Sequence, residues 1–465
     1  MPEDLPRVAV LVPYSHLWVE VVDYDLVAER HALATHVASL LAERADVVTA
    51  AAISSRSEGT AAGSAAHREG AEVVVVVQTM GTQPAFTLAA LDALTRLPIV
   101  VWWAQRMRTI PESFGHAGIV DEGGAVGTPM LTNVLVRRHV PFQLTVGPID
   151  DGGTIERLHD AVAAAAAATR LRRARIGRVG EPIDGYDCVA ADETYLVGQM
   201  VGEIVHIEPS EIQRRFLEVD EEAVAHLEAE VQGTYDVAPN VSPDSLARTL
   251  RLAITIEELC RDHGLDAGVM NCHTPEIRFG ADVGVTPCFG LGRSTTSGIP
   301  WTCAGDLLTV VPMLALKLLG EGCLYHELEA VDLATGEFVI ANTGEHDLEL
   351  AASGRPALVR NEWFARDTRC GACACYPLRP GPAALVGFTQ IDDTHRFIVA
   401  LGEVTNRAWP KLKTVNGSFR FAEGLAGWTQ WCEAGVNHHS ALTSASAVAG
   451  LQRLSLFLGA EFVQI

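Results

Sequence analysis

The sequence predicts an α/β fold in which two doubly wound α/β domains are followed by a C-terminal antiparallel, β-rich, barrel-like domain. Three observations predict it. In the first third, short unbroken apolar runs alternate with helical stretches, the pattern of parallel strands covered on both faces. The alternation resumes after an alanine-rich helix that closes on glycines. From about Cys323 the texture changes to short runs of period two with Gly and Asp between them. These shifts divide the chain into 1–175, 176–322 and 323–465.

Each element follows in order. Val8–Val12 is a buried strand ending at Pro13, and a helical stretch spans Val22 to Arg44 with Leu26, Leu33, Leu40 and Leu41 on its apolar positions. Val47–Thr49 is strand-like, and Glu58–Gly70 is a small-residue helix or connector. Val73–Val77 is five valines in a row, suited to a fully covered strand. Ala85–Thr95 is a helix, Ile99–Trp103 a strand and Phe142–Val146 a fifth strand. Ligand sites in such sheets lie outside the carboxyl ends of the strands, here Tyr14-Ser15-His16, Gln78–Gly81 and Ala104-Gln105. The alanines 163–168 have very high helix propensity, and the arginines between 170 and 178 suit the solvated C-terminal end of that helix, with Gly177 and Gly180 beyond it. Cys188–Ala190 and Ala267–Cys272 read as strands, Ser245–His263 and Leu307–Leu319 as helices, the latter interrupted by Pro312. Phe338–Ala341, Ala384–Thr389 and Arg396–Leu401 are strands of the last region, which closes with a helix near Ser444–Leu458.

Composition removes several function classes. With 35 Lys and Arg against 58 Asp and Glu, the formal charge of −23 is the wrong sign for a nucleic-acid binder or a protein held to anionic lipid. The start, Met1–His16, has no basic n-region and only a short apolar run, and no stretch reaches the length of a membrane span. Ten cysteines without an export signal read as reduced thiols. The expectation is a cytoplasmic enzyme with no nucleic-acid or membrane partner. No GxGxxG follows the first strand and no GxSxG occurs, which argues against a nicotinamide enzyme and a serine hydrolase.

Cys370-Gly-Ala-Cys373-Ala-Cys375 is the densest thiol group, but no second CxxC pair completes a structural zinc site, so small buried strand residues explain it. Asp392-Asp393 and His395 read as a hairpin turn. Asp306, Glu327, His346 and the pair His438-His439 are the carboxylate and imidazole types that divalent metals take. From spacing alone the signal is weak, since separate Asp, Glu and His residues are more often surface or cap residues than ligands.

At these residues the chain resembles the L-arabinose isomerase family and, more distantly, L-fucose isomerases. The stretch Phe421–Thr443, with Gly435-Val-Asn-His438-His439-Ser-Ala-Leu-Thr443, is similar to the family's glycine-rich HHT segment. Tyr14-Ser15-His16-Leu17-Trp18 resembles its GSQHLYG turn, and Gln78–Ala85 and Trp103-Ala-Gln105 fall where it has HTFSPA and TQ. The resemblance implies the L-fucose/L-arabinose isomerase-like fold and interconversion of an aldose and a ketose through an ene-diolate. It implies a divalent metal, typically Mn2+, a small sugar or polyol-type substrate, and a homo-oligomer, trimer or hexamer. It puts Glu327 at a metal-binding, acid–base glutamate, and His346 and His439 at metal-binding histidines. Ser15, His16, Gln105 and His438 would contact substrate. The chain departs from the family at Ala304-Gly305-Asp306, where the family has Glu-Gly-Asp, so Ala304 can neither bind metal nor carry a proton. Asp306 is the candidate replacement, or simply the N-cap of the helix that follows. Three readings stay open: a divergent isomerase, an epimerase or lyase on the same scaffold, and a non-catalytic homologue that binds a sugar or a partner.

Overall fold

A computed structural model describes residues 5–364 and 370–465. The chain forms two compact units, one of Met1–Arg170 with Gln452–Gly459, the other of Leu171–Leu451 with Ala460–Ile465. Among the described residues no helix is long and apolar enough to cross a membrane.

The first unit is built on strands β1 (Arg7–Pro13), β2 (Asp46–Ile53), β3 (Val73–Gln78), β4 (Ile99–Gln105) and β5 (Phe142–Pro148). All pair in parallel in the order β2-β1-β3-β4-β5, so the winding direction reverses between β1 and β3. Every residue of β3 is buried, as an unbroken valine run between two layers of helices requires. Helices His116–Glu122 and Gly124–Arg137, which the sequence left unassigned, follow β4.

The helix Gly152–Leu171 buries Ala164–Ala168, because methyl side chains leave little to separate it from its neighbours. It does not run on through the arginines. Arg175–Val179 instead forms β6, with Gly177 in mid-strand; a Cβ there would stand 2.5 Å from Leu265 Cδ1. Nor are the arginines simply solvated. Arg170 Nε lies 2.9 Å from Glu72, Arg175 Nη1 lies 2.7 Å from Glu203, and Arg178 bridges Glu181 and Glu193.

The second unit continues with β7 (Glu203–Ile207), β8 (Asp236–Val237), β9 (Ala267–Met270) and β10 (Trp301–Cys303). The order β10-β9-β6-β7 makes a second parallel sheet, separate from the first. Cys188–Ala190, expected as a strand, is a single 3-10 turn, Asp187–Val189, started by Tyr186. Next come β11 (Leu324–Asp332), β12 (Glu337–Ala341), β13 (Ala357–Arg360), β14 (Ala372–Cys375), β15 (Gly381–Ile391), β16 (Thr394–Val404), β17 (Asn416–Phe421), β18 (His439–Ser444) and β19 (Glu461–Gln464). Strands β15-β18-β11-β12-β17-β16 pair antiparallel, and β15 pairs with β16 to close a barrel; β19 adds in parallel to β16. β8, β13 and β14 make a small third sheet, in which Cys373 is buried. Asp392 turns the β15–β16 hairpin with φ of 52°. The architecture is therefore mixed α/β with two parallel sheets and a closed antiparallel C-terminal barrel.

Candidate metal centre and its cavity

Barrel register assembles the site. Antiparallel pairing sets Glu327 of β11 directly opposite His439, the first residue of β18, so their side chains share one face. His439 Nε2 lies 3.1 Å from Glu327 Oε1. The neighbouring His438 brings its Nε2 within 3.7 Å of the same oxygen, with the two imidazole centroids 3.7 Å apart. Ligand atoms of Glu327, His438 and His439 all lie within 4.8 Å of one another.

Asp306 stands behind this group. The turn Ala304-Gly305, with φ of 57° and 78°, delivers it to the start of the helix Leu307–Leu318, where its Oδ1 accepts from Thr309 N at 2.9 Å. Its Oδ2 lies 2.9 Å from His439 Nδ1. Asp306 is thus both the N-cap and a fully buried partner of the imidazole, and it does not line the adjoining cavity. Tyr325, two residues before Glu327 on the same face of β11, places its hydroxyl 2.6 Å from His439 Nδ1.

These contacts set the charges. Burial opposes protonation of His439, yet the hydrogen bonds and charges of Asp306 and Glu327 outweigh it and push its pKa up to about 9. Burial would raise the pKa of Glu327, but His439 and His438 hold it below its usual value. Glu329, two residues on along β11, is pushed up to about 7 by burial and by the charge of Glu327. Burial, with His439 beside it, lowers the pKa of His438, whose Nδ1 lies 3.5 Å from the Cys188 thiol.

A cavity of about 200 Å³ opens on the group. Tyr186, Cys303, Ala304, Tyr325, Glu327 and His439 line it, and so do Thr343 and Glu345 from the loop after β12. Glu345 is 2% exposed; burial raises its pKa against the hydrogen bond from Thr343.

The structure gathers Glu327, His439, His438 and Asp306, but it does not bring His346 to them. The His346 ring is buried against Phe289, and its Nε2 meets the Tyr235 hydroxyl at 3.1 Å. Gly292 leaves the room, since a Cβ there would stand 2.1 Å from His346 Nδ1. Ser15, His16 and Gln105 belong to the first unit. Ser15 is buried and caps the turn His16–Trp18; His16 is exposed and packs edge-on to Tyr14; Gln105, at the end of β4, donates to Met107 O at 2.6 Å. Sequence reasoning missed Tyr325, Glu329 and Glu345. Strand parity from Glu327 would have found Tyr325; the register shift between Leu328 and Ala330 interrupts that parity at Glu329, and nothing in the sequence marks Glu345.

Two imidazoles and a carboxylate, with the buried imidazole steered by a second carboxylate, are a donor set that could hold a divalent metal ion. The comparisons agree with the motifs. The chain is 23% identical over 397 residues to an L-arabinose isomerase of Nocardioides sp. (strain ATCC BAA-499 / JS614), covering 81% of this chain and 77% of that protein. It is 23% identical over 320 residues to a sulfoquinovose isomerase of Priestia megaterium (strain ATCC 12872 / QMB1551), covering 67% and 68%, and 22% identical over 344 residues to an L-arabinose isomerase of Mycolicibacterium smegmatis (strain ATCC 700084 / mc(2)155), covering 71% and 68%. No family model matches the chain. Across most of its length, then, the chain is similar to sugar isomerases. It is arabinose isomerase-like.

Proposed function

We propose that the protein is a divalent-metal-dependent sugar isomerase that interconverts an aldose and its ketose. The observation that carries this reading is the Glu327–His438–His439 donor group beside a cavity that Glu327 and His439 line, with Asp306 fixing the His439 ring, in a chain similar to sugar isomerases. A divalent cation held by Glu327, His438 and His439 would supply Lewis acidity at the substrate carbonyl. The Asp306 carboxylate holds the proton on His439 Nδ1, which leaves Nε2 as the ligand atom. Glu327 takes the proton from substrate C2 and returns it to C1 through an ene-diolate, while the O2 proton moves to O1. Asp306, buried behind His439 and off the cavity wall, acts here as a positioning residue. Ser15, His16 and Gln105 lie at carboxyl-terminal strand ends of a doubly wound sheet, where such sheets bind ligands, and we assign them to substrate hydroxyls. A homo-oligomer, trimer or hexamer, belongs to the same reading; exposed Leu17, Ile110, Ile119 and Val126 in the first unit supply apolar surface for it.

The test is metal analysis of purified protein after dialysis against Mn2+, followed by a screen of aldoses for ketose formation. Manganese near one per chain and turnover of at least one aldose are expected. Metal-free protein that turns over nothing would favour the non-catalytic homologue.

A further inference from the structure

Glu345 sits where a carboxyl group is hard to explain structurally. The residue is 2% exposed, Oε2 accepts from Thr343 Oγ1 at 3.0 Å, and Oε1 has no N–H or O–H partner, with only the Cys303 thiol, a weak donor, beside the carboxyl. A buried polar atom left unpaired destabilises a fold unless something absent from the protein itself satisfies it. The residue lines the same cavity as Glu327 and His439 but stands outside the metal-donor group.

The loop that carries it is held rigidly. Asn342 Nδ2 donates to Tyr325 O at 2.9 Å and also to Glu345 O, while its Oδ1 accepts from Gly344 N at 3.1 Å. Thr414 Oγ1 donates to Asn342 O at 3.0 Å, and Asn361 Nδ2 donates to Thr343 O at 2.8 Å. Gly344 has φ of 132°, and a Cβ there would stand 2.7 Å from Cys373 Cβ and 2.9 Å from Cys288 Cβ. Only glycine fits this left-handed, close-packed position. So constrained a loop fixes the Glu345 backbone, and with it the space its carboxyl can reach. Such preorganisation costs stability in the free protein and is recovered on binding.

Cys272, Cys288 and Cys303 also line the cavity, and thiols are weak hydrogen-bond partners. Beside them, Glu345 is, among the described residues, the one carboxyl of the cavity lining outside the metal-donor group, and so a strong acceptor for a molecule rich in hydroxyls. We infer that Glu345 is a substrate-binding residue whose Oε1 accepts a hydrogen bond from a hydroxyl of the sugar held in the Glu327–His439 cavity. The inference rests on the isomerase reading above.

The experiment compares manganese-loaded wild type with Glu345→Gln and Glu345→Leu, using the aldose that the wild type isomerises. Both variants should hold as much manganese as wild type, and KM should rise tenfold or more in the Leu variant and less in the isosteric Gln variant. The Leu variant, freed of an unpaired buried oxygen, should melt at a higher temperature without sugar and gain less from added sugar. Should it fail to fold, the Gln variant decides, by a rise in KM of at least threefold. An unchanged KM in the folded variants overturns the inference while leaving the isomerase reading intact. Loss of manganese also overturns it, by making Glu345 a ligand. A wild type that binds manganese but neither turns over nor is stabilised by any aldose removes the isomerase reading and this inference with it.

Discussion

Two segments border the same cavity and teach opposite lessons. On β11 and β18, Glu327 and His439 meet because antiparallel register puts them opposite each other, and ladder geometry leaves their side chains no other face. In the loop Asn342–Asp347, by contrast, side-chain direction follows local turns. There Glu345 takes the cavity, while His346 turns into the core against Phe289 and Tyr235. A motif on a strand transfers its geometry with its residues; a motif on a loop transfers only its letters.

The largest expected effect breaks the strand side of this comparison. His439→Ala should abolish stoichiometric manganese and lower turnover at least ~10⁴-fold, about 5.5 kcal/mol. It also leaves Asp306 buried without its cationic partner, which should cost roughly 3 kcal/mol of stability. Glu327→Gln should lose metal with a smaller change in melting temperature. Metal titration and thermal denaturation of both variants check this; unaltered manganese in both would remove the metal site.

His346 sharpens the loop side. Burial holds its pKa down at about 3, against about 6.5 in an unfolded chain. A lowered pKa means that the folded state keeps the neutral ring. Its contribution is therefore fully present above pH 6.5 and is lost as the unfolded chain takes up a proton between about pH 6.5 and 3. The full span is roughly 4–5 kcal/mol. His346→Gln should lower stability at pH 7 yet flatten this acid limb, and it should leave manganese content unchanged. Denaturant melts at pH 7, 5.5 and 4.5 measure the slope. If the variant loses manganese instead, His346 is a ligand and the contrast between strand and loop collapses.

How much was legible follows the same division. Val73–Val77, Ile99–Trp103 and the period-two runs after Cys323 declare their strands because burial on two faces or one is written in their hydrophobic period. Arg175–Val179 was hidden, since the alanine run upstream extends helix propensity into it and pairing with β7 and β9 overrides that local preference. Glu327 and His439 stood out only through the resemblance to a family motif, since their spacing alone is a weak signal, and Tyr325 was missed although strand parity from Glu327 points to it. Glu345 was invisible, because its place depends on an Asn342 hydrogen-bond lattice that joins residues up to 72 positions apart.

Asp306→Asn should produce a smaller, purely positional effect. Asparagine can still cap the helix at Thr309, so stability should change little. At His439 Nδ1, however, it presents a donor where the imidazole needs an acceptor, favouring the tautomer with the proton on Nε2. Manganese affinity should fall about 10–100-fold with the fold intact. Titration calorimetry with Mn2+ beside a thermal melt separates the two; equal loss of both would reduce Asp306 to its capping role.

The smallest effect comes from Ala304→Glu. Ala304 lines the cavity beside Glu327 and already holds a left-handed φ of 57° with a Cβ in place. A longer side chain there therefore adds little backbone strain beyond what alanine carries. A carboxylate at this position faces the same space as the donor group and adds negative charge next to a bound cation, so manganese affinity should rise by up to about tenfold, roughly 1.4 kcal/mol. The gain is limited because the new carboxylate must also be desolvated beside Glu327, and two neighbouring carboxylates repel when no cation is bound. Without manganese the variant should therefore melt slightly below wild type, and with saturating manganese slightly above it. This crossing of the two melting curves is the diagnostic. A variant that melts lower in both conditions shows that position 304 does not face the cation, and the donor group would then be complete with Glu327 and the two histidines.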